Sequence, residues 1–165
     1  MSLLRSLVLL AATIATGLVA GTYAVYAHTI MPALKTTADQ TFVTSFQALD
    51  RSILNPWFIG CGFIGALVLA IASVVASLGR PAFPWVVAAL VLYAVGFVIT
   101  IAVHVPLNDA IKAAGDAAHI ADLAQVRSDF DEARWAAWNL VRTVSTLAAF
   151  GCLGWALVVW DRAVP

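Results

Sequence analysis

The sequence predicts an all-α transmembrane four-helix bundle capped on one membrane face by two long polar connections. Three observations carry this. Hydrophobic residues make up 62% of the 165 positions and charged residues only 11%, against about a quarter charged in soluble domains. Mean hydropathy is +0.94. Four apolar stretches each reach the roughly 20 residues that a helix rising about 1.5 Å per residue needs to cross about 30 Å of hydrocarbon. The whole chain, 1–165, reads as a single membrane domain.

The first stretch runs from about Leu7 to Ala27. Arg5, the apolar run and Val25-Tyr26-Ala27 imitate a secretory signal, but the run is too long for a signal core, so a retained span is expected. The second runs from Pro56 to Leu78, and Asn55-Pro56 supplies a capping side chain ahead of a proline at the first helical position. Its small residues, Gly60, Gly62, Gly65, Ala66 and Ala70, suit close packing in lipid and permit a homo-oligomer without requiring one. The connection SLGRPAFP, Ser77 to Pro84, makes an antiparallel hairpin with the third stretch, Trp85 to Val103. The fourth runs from Ala136 to Trp160. Residues 28–55 and 104–135 then emerge on one membrane face, opposite both termini.

The second connection carries Ile120, Leu123, Phe130 and Trp135 near helical spacing, and Arg127 can pair with Asp131 one turn on. An amphipathic extension of the fourth span, folded over the mouth of the bundle, is expected. Arg5, Arg80 and Arg162 flank spans on the terminal side, with only Asp161 against them, while eight of the nine acids lie on the loop side. Lys35, Arg51, Lys112, Arg127 and Arg134 lie on the loop side, so a bare count of basic residues favours cytoplasmic loops and acids contribute little to topology; counted near the membrane ends, the terminal arginines are the less offset, and cytoplasmic termini are expected. The formal net charge is zero and no basic run could track a phosphate backbone, so no nucleic-acid partner is expected; the bilayer is the expected one. Cys61 and Cys152 stand in apolar stretches without His or Cys at ligand spacing and read as buried free thiols.

Polar groups at membrane depth must be satisfied internally, which makes each a candidate for function. Arg142 shares a helix face with Trp135, Trp138 and Asn139. It reads either as an ion pair with Asp39, Asp50 or Asp109, or snorkelling to the interface, or as an anion-stabilising group above a pocket. His28 and His104 end the first and third spans at one level, where an imidazole could act as base or metal ligand; no HxxxH or HExxH spacing supports a metal site, and none is expected. His119 reads as solvated. Pro106 is expected to stop the third span, leaving Asn108 to cap the next turn, with Asp109 beside it. The six tryptophans fall near span ends as an aromatic belt would, and Trp138 reads as a pocket wall.

Met31-Pro32-Ala33-Leu34, Phe42-Val43 followed by Gln47, Asn55-Pro56-Trp57-Phe58, Val105-Pro106-Leu107-Asn108, and Trp135-Ala136-Ala137-Trp138-Asn139-Leu140-Val141-Arg142-Thr143 occur in this order over almost the whole chain. Together they resemble the DUF1772, or anthrone oxygenase-like, family of small four-span membrane proteins. The chain departs from that pattern at His104 and at Asp50, where the family's asparagines are expected. The resemblance implies oxidation of anthrones to anthraquinones by O₂ without a cofactor. It implies His28 or His104 as base, Arg142 and Asn139 as donors to an enolate oxygen, and Trp138, Asn108 and Asp109 around a lipophilic aromatic substrate. The expected location is the bacterial plasma membrane. The alternative is a non-catalytic membrane module whose polar face binds a lipid or a protein partner.

Overall fold

A computed structural model describes residues 3–160. Every element among them is helical: α1 Leu3–Lys35, α2 Asp39–Ile53, α3 Trp57–Ala76, α4 Phe83–Ala113, α5 Leu123–Phe130 and α6 Glu132–Val159. The helices α1, α3, α4 and the run containing α6 are long and apolar enough to cross a membrane, and they pack as a four-helix bundle. Side chains such as Val68, Val91, Val98 and Val144 cover the outside, where lipid is the compatible solvent. Asp161 and Arg162, which entered the orientation argument, lie outside the described residues.

The spanning helices do not stop where the apolar stretches end. At 33 residues α1 is about 50 Å long, well beyond the hydrocarbon, and α4 runs on through Pro106. The expectation that Pro106 ends a span fails for a local reason. A proline inside a regular helix lacks one amide donor and presses its ring on the preceding turn. Here each proline follows one widened turn, closed by an i to i+5 hydrogen bond from Met31 N–H to the Tyr26 carbonyl in α1 and from Val105 N–H to the Thr100 carbonyl in α4. The extra residue shifts the carbonyl register ahead of Pro32 and Pro106, and both helices continue. Asn55 does cap α3, its Oδ1 accepting from Phe58 N–H at 2.9 Å.

Small side chains set the spacing in the lower bundle, where Leu9, Ala12 and Val19 of α1 meet Ala66, Val86, Ala89, Ala149 and Ala156. Ala66 and Ala70 face inward as expected, whereas Gly60 and Cys61 face out. The thiol of Cys61 is therefore exposed rather than buried, and Cys152 is half-buried. Gly96 marks the tightest crossing, since a Cβ there would lie 2.7 Å from Thr146 Oγ1 of α6.

A second core forms the cap. Phe42, Val43 and Phe46 of α2 pack with Met31, Ile111, Phe130 and Trp135, so the long connections are a docked helical lid. Arg127 fastens it: Nε donates to Glu132, Nη1 to the Thr37 carbonyl (2.7 Å) and Asp39 (3.1 Å), Nη2 to the Lys35 carbonyl (3.2 Å), and the guanidinium lies over the Phe42 ring. Gln47 Nε2 donates to the carbonyls of Ile111 and Gly115, tying α2 to the end of α4. Asp131 is not the partner of Arg127. It adopts a left-handed conformation (φ 52°) that breaks α5 from α6, and its carboxylate caps α6 by accepting from Arg134 N–H.

Candidate functional site

A cavity of about 320 Å³ opens where the widened turns meet the lid. Its walls come from α1 (Thr22, Tyr23, Tyr26), the start of α3 (Phe58, Phe63), the upper part of α4 (Phe97, Thr100, His104, Asn108) and α6 (Trp135, Arg142). Phe63 and Phe97 stack at 4.6 Å with planes 10° apart, giving a flat apolar wall. Ile64, Ile101, Leu54 and Val105 line it while being about half exposed on the outer surface, so the cavity meets the lipid side between α3 and α4.

Arg142 is 6% exposed at the deep end. Its Nε donates to Asn139 Oδ1 (2.9 Å), its Nη1 to Thr100 Oγ1 (3.1 Å), and its Cζ sits 4.0 Å from the Tyr23 ring centroid and 5.3 Å from that of Trp135. No carboxylate among the described residues pairs with it. The three partners considered from sequence are engaged elsewhere: Asp39 by Arg127, Asp50 and Asp109 by Lys112. Nη2 has no hydrogen-bond partner among the described residues. Asn139 holds the guanidinium rather than the cavity, because its Nδ2 is spent on the Tyr23 carbonyl at 3.2 Å. Thr100 gives its one proton to the Gly96 carbonyl, so the Tyr23 hydroxyl, 3.2 Å away, must donate to Thr100 Oγ1.

His104 is buried and packs edge-on against Trp135 at 4.8 Å. Its Nδ1 lies 3.4 Å from the Ile99 carbonyl and Nε2 3.3 Å from the Trp135 carbonyl, so both nitrogens face backbone and the ring offers the cavity its carbon edge. His28 is not brought to the site: it is exposed on α1 and bonded to Thr29. Trp138 also turns away, 41% exposed, because the inward face of α6 runs through Trp135, Asn139, Arg142 and Thr146, and Trp138 lies on the outer flank of Arg142. Asn108 caps nothing. It accepts from Trp135 Nε1 (2.8 Å) and donates to Asp50 Oδ1 (2.6 Å), while Asp50 Oδ2 lies 2.7 Å from Lys112 Nζ and Lys112 reaches Asp109 at 3.0 Å. These charges form the mouth. No group of three or more His, Cys, Asp or Glu side chains suited to a metal ion occurs among the described residues.

Sequence reasoning passed over Tyr26. It is 9% exposed, lines the cavity, and has its ring 5.7 Å from Trp135, yet its hydroxyl has no hydrogen-bond partner among the described residues. Its place one helical turn after Tyr23 was the available signal.

The model of one protein family, described as anthrone oxygenase, matches residues 54–152, more than half of the chain. The chain belongs to the anthrone oxygenase family. The matched region of this anthrone oxygenase family member holds His104, Asn108, Trp135, Asn139 and Arg142, whereas α1 and α2, with Tyr23, Tyr26 and Asp50, precede it. Neither the curated proteins nor the solved structures contain a match.

Proposed function

We propose that this member of the family oxidises a lipophilic aromatic ketone of the anthrone type with O₂ in the cavity between α1, α3, α4 and α6. The observation that carries the reading is Arg142, a buried guanidinium with no carboxylate partner among the described residues and one nitrogen left over at the cavity. A buried cation that the fold leaves uncompensated is unfavourable until an anion arrives. The reaction makes one: loss of a proton from the methylene opposite the ketone gives an enolate, and Arg142 Nη2 donates to the enolate oxygen as charge develops.

The proton leaves by the mouth, where Asp50 and Asp109 share Lys112 and Asp109 reaches solvent. His104 forms part of the wall beside the methylene, and Asn139 is a positioning residue acting through Arg142. The electron-rich enolate passes an electron to O₂, the radical pair combines to a peroxide anion at the former methylene carbon, that anion takes a proton back from the mouth to become a hydroperoxide, and loss of water leaves the quinone. The balance is anthrone plus O₂ to anthraquinone plus water. Stacked Phe63 and Phe97 and the lipid-side opening suit a flat substrate that partitions from the bilayer.

The test is oxygen uptake with quinone absorbance, using detergent-purified protein and emodin anthrone. Wild type is expected to exceed the spontaneous rate, and Arg142→Met to lose about a hundredfold or more of that acceleration. Equal rates for wild type, R142M and buffer would remove the proposal.

A further inference from the structure

Resting on that reading of the cavity, we infer that Tyr26 is the proton donor and acceptor that turns the peroxide into the quinone. Three features of the fold point to it. The hydroxyl belongs to a residue nine-tenths buried, it lines the cavity, and no described residue bonds it, so it is open to whatever occupies the cavity. The ring also flanks the same indole as the guanidinium: Trp135 lies 5.7 Å from the Tyr26 ring and 5.3 Å from Arg142 Cζ. A substrate lying against that indole meets both groups, one for its ketone oxygen and one for the carbon across the central ring.

The other cavity groups able to carry a proton are bonded, turned to the backbone or set at the mouth. Tyr23 donates to Thr100, Thr22 donates to the Leu18 carbonyl, the His104 nitrogens are turned to the backbone, and Asp50, Asp109 and Lys112 pair with one another at the mouth, on the path by which the first proton leaves. Tyr26 alone among these wall residues keeps a neutral O–H without an acceptor, so it donates at neutral pH without first having to titrate.

The step it serves starts from a carbon bearing one hydrogen and a hydroperoxide. Tyr26 gives its proton to the distal peroxide oxygen as the O–O bond breaks, and that oxygen departs as water. The C–H bond breaks, its electron pair forms the C=O bond of the quinone, and its proton goes to the Tyr26 phenolate. The hydroxyl is regenerated, and no oxidant beyond the O₂ already bound is consumed. Arg142 acts earlier, on the enolate, so the two residues govern different halves of the reaction.

Tyr26→Phe separates these halves. Emodin anthrone is supplied to the detergent-purified protein while dissolved O₂, quinone absorbance and accumulated organic hydroperoxide are followed together, and thermal midpoints are compared. The expected result is a Y26F protein with an unchanged midpoint and O₂ uptake near wild type, but quinone formation about a hundredfold slower and hydroperoxide building up in its place. O₂ uptake and quinone formation that stay coupled in Y26F, whether fast or slow, would overturn the role of Tyr26 and leave the oxygenase reading standing. A wild type that takes up no O₂ above buffer would overturn both.

Discussion

Two arginines, one in the lid and one in the cavity, show how the same side chain is used for opposite ends. Arg127 is saturated: two carboxylates, two backbone carbonyls and the face of Phe42 surround it, and together they pin α5 to α2 and to the end of α1. Arg142 is more deeply buried but, among the described residues, receives only an amide oxygen, a hydroxyl and two aromatic faces. A fold seeking stability alone would treat the deeper charge better, because desolvation weighs more on it. The asymmetry separates a fastening from a site that waits for an anion.

The largest effects expected are reciprocal losses in the two variants that remove these charges. Arg142→Met, besides losing turnover, should melt at the same temperature as wild type or slightly higher, since exchanging an uncompensated buried charge for an apolar chain of similar volume is neutral or stabilising. Arg127→Met should lose about 2 kcal/mol of stability, a value discounted because Asp39 and Glu132 are 43% and 24% exposed and keep some hydration. Any protein that remains folded should turn over near the wild-type rate. Thermal midpoints in detergent beside initial rates decide this, and an R142M protein as destabilised as R127M would make Arg142 a structural group.

A smaller effect sharpens the contrast by giving Arg142 what Arg127 has. Asn139→Asp places a carboxylate where Nε already donates at 2.9 Å. The guanidinium would then be compensated within the fold, at the loss of the Asn139 donation to the Tyr23 carbonyl. Turnover should fall about tenfold through weaker stabilisation of the enolate, the midpoint shifting little. Unchanged rates in N139D would mean that the net charge at the cavity end is not what the reaction uses.

Much of the fold was legible because apolar length is a strong signal: four stretches, one short hairpin and two polar connections follow from the bilayer's thickness. The lid was harder. Pro32 and Pro106 look like helix ends to local rules, and only the widened turn before each lets α1 and α4 continue, a correction that depends on hydrogen bonds five residues apart. Arg142, Asn108 and His104 could be found at the site because polar residues near apolar spans attract attention. His28 and Trp138 were grouped with them by level and spacing, which do not say which way a side chain turns. Tyr26 escaped because a tyrosine near a span end passes for an interfacial anchor, and its unpaired hydroxyl is visible only when every possible partner has a position.

Trp138 provides the smallest expected effect. It stands four residues before Arg142, a spacing that puts both on neighbouring parts of the helix surface, yet Trp138 is 41% exposed and Arg142 is buried. The face of α6 that meets α1 and α4 runs through Trp135, Asn139, Arg142 and Thr146, which leaves Trp138 on the lipid side with no wall to form. Trp138→Leu keeps an apolar surface there and should leave both turnover and KM within about twofold of wild type, since a solvent- or lipid-facing exchange away from packed groups rarely matters. A large rise in KM with unchanged kcat would move the binding site to the outer face of α6, where Trp138 could reach a ligand that the cavity does not hold.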